Sequence, residues 1–330
     1  MDAILITPVV LILPTAFYIW LILQIDRYER EPVLYLVMAF IWGAIPGVMG
    51  AVILQSLFSI PLASGLAEGS LTAELMDGSI SPAVTEEILK GLAVAMIAIS
   101  FRQEFDGWID GVVYGAMAGF GFAYVENILY LWGTETWGEW WTVLLLRTVV
   151  FGGLHGLWTA LTGIGFGLAR YQRQTWQRVL CVSGGLLAAM AGHAIHNGAL
   201  TLAGRASHEN EGVGYILIAL LNYGTLVLLM GLLWWLSLWI SQRTLRFYLE
   251  DEVPKHLSER LYKGICQPRT LVGIPKKQRQ ALLQLASELA QKKLQRQMMG
   301  EELNTTAMIR EYQRQLAALS QQIEMGLGSS

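Results

Sequence analysis

Pro82-Ala83-Val84-Thr85-Glu86-Glu87-Ile88-Leu89-Lys90 opens a segment that then runs apolar to about Ser100. Ionisable groups at membrane depth cost a few kcal/mol or more each, so they are kept where they are paired or functional. Lys90 is the sole lysine among residues 1–241. On a helix, Glu86 and Lys90 stand at i, i+4, so the ammonium can hold that carboxylate ionised while Glu87 points elsewhere. Read this way, the stretch is a membrane helix carrying a polar centre, and the rest of the fold has to be built around it.

The surrounding composition agrees. Of 330 residues, 54% are hydrophobic, and the mean hydropathy is +0.44, which is membrane rather than soluble composition. Residues 1–241 carry a net charge of −8 and residues 242–330 one of +5, against −3 overall. The expected organisation is a transmembrane bundle over 1–241 and a cytoplasmic helical tail over 242–330. Nucleic acid is not an expected partner. Cys181 in an apolar helix and Cys266 in the tail form no disulfide framework. The N-terminal apolar run lacks a basic leader and is too long for a signal core, so it reads as a retained anchor.

Apolar runs of spanning length fall near 3–25, 33–62, 82–100, 108–132, 141–169, 179–203 and 215–240. The fold class is therefore all-α: a polytopic transmembrane helical bundle of about seven spans with an amphipathic tail. Arg27 and Arg30, Arg102, then Arg170, Arg173 and Arg178, then Arg243 and Arg246 follow alternate spans, while the intervening loops hold only Arg205. The positive-inside rule then puts the N-terminus outside and the C-terminus in the cytoplasm. Trp137, Trp140 and Trp141 suit the outer aromatic belt.

In the tail, Pro275 starts one amphipathic helix bearing Leu282, Leu285 and Leu289, and Gly300 separates it from a second. There Ile309, Tyr312, Leu316, Leu319 and Ile323 form a heptad seam. It can close as a hairpin, or it can join another copy or a cytoplasmic partner through residues 304–324. Lys276, Lys277 and Arg279 can touch anionic lipid, although a solvated regulatory tail is the plainer reading.

Strong polar groups inside the spans are few: Glu86, Glu87, Lys90, Asp110, Glu126, Asn127, Arg147, His155, His193, His196, Asn197 and Asn222. With 1.5 Å rise per residue and the orientation above, Glu126 and Asn197 lie about 9 Å below the outer end and His193 about 15 Å. His155 is somewhat deeper. Four helices thus bring carboxylates and imidazoles to similar depth. His193 and Asn197 share one helix face. Gly111, Gly115, Gly119 and Gly121 make a small-residue surface that would draw Glu126 beside a neighbouring helix.

Each group also has a plainer reading. Glu86 and Glu87 suit a helix N-terminus, Glu126 with Asn127 suits an interhelical clamp, and His155, His196, Asp110 and Arg147 suit structural roles. Joint occurrence at one depth favours chemistry. Two chemistries fit. In one, a glutamate takes a proton from water while an imidazole or amide stabilises the oxyanion, with no cofactor. In the other, His155, His193 and Glu126 hold zinc or another divalent metal. There is no His-Glu-x-x-His helix and no Gly-x-Ser-x-Gly elbow. An ion transporter or scaffold built on the same cluster is the alternative, weakened by the lack of an evident internal repeat.

In order and combination these residues resemble the PrsW family of intramembrane proteases, within the superfamily of CAAX prenyl endopeptidases. Glu86-Glu87-x-x-Lys90 resembles its first motif and Phe122-x-x-x-Glu126-Asn127 its second. His155 resembles the third, and His193-x-x-x-Asn197 the fourth. The acidic loop Asp26–Pro32, with Glu29 and Glu31, is also similar. The resemblance covers residues 20–205 and implies an integral protein of a bacterial cytoplasmic membrane that cleaves membrane-anchored protein substrates within or beside the bilayer. Site-1 cleavage of an anti-sigma factor is the founding example. It further implies Glu86 as the water-activating base, a histidine assisting it, and the His193/Asn197 face at the oxyanion.

Overall fold

The computed structural model describes residues 3–26, 30–63, 66, 69–206, 211–267, 271, 273–301 and 304–328. Arg27 and Glu29 lie outside the described residues. All regular structure among the described residues is helical, as the apolar runs require. Among the described residues, six helical stretches are long and apolar enough to cross a membrane: Ala3–Leu23, Val33–Leu57, Trp108–Trp132, Trp137–Arg170, Thr175–Arg205 and Val213–Glu252. The segment expected as the third of seven spans is a helix too, Ser81–Ser100, but Glu86, Glu87 and Lys90 keep it out of that apolar class.

The chain divides into two units. The first takes Met1–Gln24, Glu31–Arg170 and Gln174–Leu232. It contains α1 (Ala3–Leu23), α2 (Val33–Trp42), α3 (Val48–Ala63), α4 (Leu71–Leu75), α5 (Ser81–Ser100), α6 (Trp108–Trp132), α7 (Trp137–Leu145), α8 (Leu154–Arg170), α9 (Thr175–Ala206) and most of α10 (Glu211–Leu249). α6 is its axis. Residues Ile109 to Ala123 are all buried there, and the glycines among them let neighbouring backbones come close. A Cβ on Gly111, Gly115 or Gly119 would lie 2.0, 2.5 and 2.3 Å from carbonyl oxygens of Gly163, Thr159 and His155 on α8. Gly121 faces the opposite way, its Cβ position 2.0 Å from the Phe40 carbonyl on α2. The expected small-residue surface therefore serves two partners, with α8 on one side and α2 on the other.

Among the described residues, single π turns interrupt this unit at Gly43–Gly47, Met76–Ile80 and Leu146–Val150. Pro46, which lacks an N–H, accounts for the first. The second joins α4 directly to α5, so the helix does not start afresh at Pro82. Glu86 and Glu87 consequently sit inside a continuous helical path rather than in a first turn, and a helix N-terminus does not account for their charge. After the third π turn the path breaks at Phe151–Gly153 before α8 begins. Non-helical backbone at membrane depth is tolerated where it is buried or lines a cavity, and this break does the latter.

The second unit takes Ile25–Arg30, Tyr171–Arg173 and Leu233–Ser330. Beyond α10 it holds α11 (Glu259–Cys266), α12 (Lys276–Met299) and α13 (Thr305–Gly328). α12 starts after Pro275 and ends at Gly300, whose φ of +83° lies in the region that favours glycine. Leu282, Leu289, Ile309, Leu316 and Ile323 share one core with Leu249, Leu257 and Leu261. Of the closures open to the seam at residues 304–324, the hairpin is the one formed, with Ile309, Leu316 and Ile323 packed beside Leu282 and Leu289 of α12.

Candidate hydrolytic site in the helical bundle

Lys90 is the hub of the cluster. Its side chain is fully buried, and its Nζ lies 2.5 Å from Glu87 Oε1, 3.1 Å from His155 Nδ1 and 3.6 Å from Glu86 Oε2. The Phe122 ring covers it, with the centroid 4.4 Å away. The tight pair is therefore Lys90–Glu87, at i, i+3, rather than the expected Lys90–Glu86. The reason lies across the bundle. Thr159 Oγ1 donates to Glu87 Oε2 at 3.0 Å, and His193 Nδ1 lies 3.0 Å from Glu87 Oε1. Glu87 is drawn into α8 and α9 by these partners and is fully satisfied.

Glu86 is not. Gln55 Nε2 donates to its Oε1 at 3.2 Å. Its Oε2 is buried without a hydrogen-bond partner, 3.8 Å from His193 Nε2. Glu126 has a cation of its own: Arg147 Nη2 donates to Oε2 at 2.5 Å, while His155 Nε2 lies 3.1 Å away. Arg147 Nε also donates to Asn127 Oδ1 at 2.6 Å, and its guanidinium stacks 3.7 Å over the Tyr130 ring.

A cleft of about 430 Å³ lies above these groups. Glu126, Asn127, Arg147, His155, His193 and Asn197 reach its wall, as do Gly78 and Phe151 from the irregular segments. Glu86 does not reach the wall; it meets the cleft through His193. Trp158 stacks flat on His193 at 4.3 Å and 13° and fixes that ring.

The expected residues Glu86, Glu87, Lys90, Glu126, His155 and His193 are thus brought into one cluster, with Asn127 and Asn197 beside it. His196 instead pairs with Asn222 at 2.9 Å. Asp110 accepts from the N–H groups of Asp106 and Gly107, a cap at the start of α6. Thr159, Trp158 and Gln55 belong to the site although nothing in the sequence singles them out, and Arg147, expected in a structural role, belongs to it as well. Arg147 carried a usable signal as the lone cation within its apolar run. The other three carried none.

Glu86, His155 and His193 each offer a ligand atom, all within 4.8 Å of one another. The orphaned Glu86 oxygen and the Glu87-held ring of His193 suit a divalent ion, since a ligating histidine is ordinarily oriented through its second nitrogen. The group differs from the expected His155, His193 and Glu126 set because Arg147 holds Glu126 to one side.

A family model described as PrsW family intramembrane metalloprotease matches residues 31–230. "Protease PrsW" of Geobacillus kaustophilus is 30% identical over 148 residues, which cover 44% of this chain and 59% of that protein. "Protease PrsW" of Bacillus subtilis is 30% identical over 146 residues, covering 44% and 61%. That of Clostridioides difficile is 28% identical over 120 residues, covering 36% and 48%. The chain spans about three-fifths or less of the length of these curated relatives. No solved structure matches. With the membrane helices, the clustered motif residues and a family match across residues 31–230, the chain belongs to the PrsW family of intramembrane metalloproteases.

Proposed function

We propose that the chain hydrolyses peptide bonds of membrane-anchored proteins where His193 meets the cleft, with Glu86 buried beside that ring. The inequality of the three carboxylates carries this reading. Glu87 and Glu126 each have a cation at 2.5 Å, whereas Glu86 keeps a buried oxygen without a hydrogen bond. Such an unmet acceptor costs about 1–3 kcal/mol. Retaining it beside an imidazole suits a group that must take up a proton during the reaction.

In this mechanism water attacks the scissile carbonyl and gives its proton to Glu86. His193, held through Nδ1 by Glu87, presents Nε2 to the same place. Asn197, one turn further along α9 and on the cleft wall, donates to the carbonyl oxygen as negative charge develops there. The proton then passes to the departing amine as the C–N bond breaks. Glu87 and Lys90 keep the acid and the imidazole in place.

The spacing of Glu86, His155 and His193 favours a second form of the reading, in which these three hold a divalent ion. Such an ion supplies Lewis-acid polarisation of the carbonyl. Glu86 is then a ligand, and the positions of Glu87, Thr159 and Trp158 around His193 serve the same end.

The charge pattern supports an N-terminus outside, a tail from about residue 242 in the cytoplasm and a site in the outer half of the bilayer. The anti-sigma class of substrate is the first to try. The test is cleavage of a single-span substrate co-reconstituted with wild type or Glu86→Gln, with metal content measured on both proteins. Loss of cleavage by at least 100-fold in Glu86→Gln is expected. Equal rates would sink the assignment, and ion flux without any proteolysis would point to a transporter. Bound metal lost to a chelator together with activity selects the metal form, and full activity in metal-free protein selects the glutamate form.

A further inference from the structure

Arg147 is the strongest side chain left over by this mechanism. It sits in the π turn Leu146–Val150, closed by the Phe151 N–H donating to the Leu146 carbonyl at 2.9 Å. An inserted turn of this kind re-aims the side chains it carries. Here it carries Arg147 on the cleft wall.

The guanidinium makes two contacts at once, through Nη2 to Glu126 and through Nε to Asn127. Tyr130 beneath it fixes its plane. Glu126 in turn faces His155 Nε2 at 3.1 Å. The other nitrogen of His155 faces an ammonium, Lys90 Nζ, at 3.1 Å. An ammonium only donates, so His155 Nδ1 must accept. A neutral imidazole accepting at Nδ1 carries its proton on Nε2, and that proton needs an acceptor. Glu126 is the acceptor, and Arg147 is what holds Glu126 in place.

We propose that Arg147 is a positioning residue for the hydrolytic centre, gripping Glu126 and Asn127 together so that Glu126 fixes the ring and tautomer of His155. It touches neither Glu86 nor His193 and acts through His155. The inference rests on the metal-free form of the proposed hydrolysis, in which His155 keeps one nitrogen for Lys90 and the other for Glu126, and the test separates the two.

The full chain is reconstituted with a single-span substrate as wild type, Glu86→Gln, Arg147→Ala, Arg147→Lys and the pair Arg147→Met with Glu126→Gln. Arg147→Ala should lower kcat about 100-fold with little change in KM, the upper range for losing a group that orients an active-site histidine. Added guanidinium should restore about tenfold of that, which a purely structural role would not allow. Arg147→Lys should recover little, since a point charge cannot span two acceptors with a fixed fork. Should Arg147→Ala fail to fold by thermal unfolding, the neutral pair, which leaves no unpaired buried carboxylate, still decides the matter. It should fold and remain slow. A kcat within threefold of wild type in Arg147→Ala or in the neutral pair overturns the inference. So does a loss in Arg147→Ala that guanidinium does not touch. Full activity in Glu86→Gln would overturn the hydrolytic reading instead.

Discussion

At the scale of single residues, spacing alone could not apportion the two glutamates. Positions i+3 and i+4 are both neighbours on a helix, so Lys90 could reach either one. Thr159 and His193, distant in sequence, decide for Glu87. The polar centre was legible because charge in an apolar run is conspicuous, and its internal wiring was not, because threonine, glutamine and tryptophan are unremarkable in any span. The buried Lys90–Glu87 pair makes its own prediction. Both side chains are fully buried, and removing one partner of a buried pair costs about 3–5 kcal/mol. Lys90→Met should therefore lower the thermal unfolding midpoint in detergent, and adding Glu87→Gln should recover part of it. If Lys90→Met melts like wild type, Lys90 is not the hub that its distances describe.

At the scale of elements, the runs near 3–25, 108–132 and 179–203 mark helices within a few residues of those observed, because length and hydropathy suffice for a membrane helix. The joins were harder. Pro82 resembles a helix start, yet the π turn before it needs no N–H there and the helix runs through. The Phe151–Gly153 break had no sequence cue beyond two glycines. The α6–α8 contact was readable from its glycines and is open to a direct test. Gly119→Ala puts a methyl 2.3 Å from the His155 carbonyl oxygen, a backbone atom that cannot step aside. We expect a loss of about 1–3 kcal/mol, the usual cost of overpacking, and a fall in cleavage as His155 is pushed off Glu126. Gly184 on α9 has nothing within 4 Å of its Cβ position, so Gly184→Ala should be neutral or stabilising by up to about 1 kcal/mol. Unfolding midpoints of the two variants check this, and equal effects would mean that α6 and α8 do not meet as closely as their glycines allow.

At the scale of the whole molecule, the charge map makes one claim that helix geometry alone does not: which side of the membrane each loop faces. Arg102 lies between α5 and α6, Arg170 and Arg173 between the body of α8 and α9, and Arg243 and Arg246 near the end of α10. The α6–α7 connection, with Glu135, carries no Lys or Arg. Because cationic short loops are retained on the cytoplasmic side, the α6–α7 connection should face outward and α12 inward. Cys181 and Cys266 are replaced by alanine first, and single cysteines are then placed at Glu135, an exposed position, or at Lys277 on the exposed start of α12. In intact cells a membrane-impermeant thiol reagent should label Glu135→Cys and reach Lys277→Cys only after lysis. Labelling in the reverse order would invert the topology. It would then move the Glu126 end of α6, and with it the cleft, to the cytoplasmic half of the bilayer, where a substrate would have to present its scissile bond from the inside.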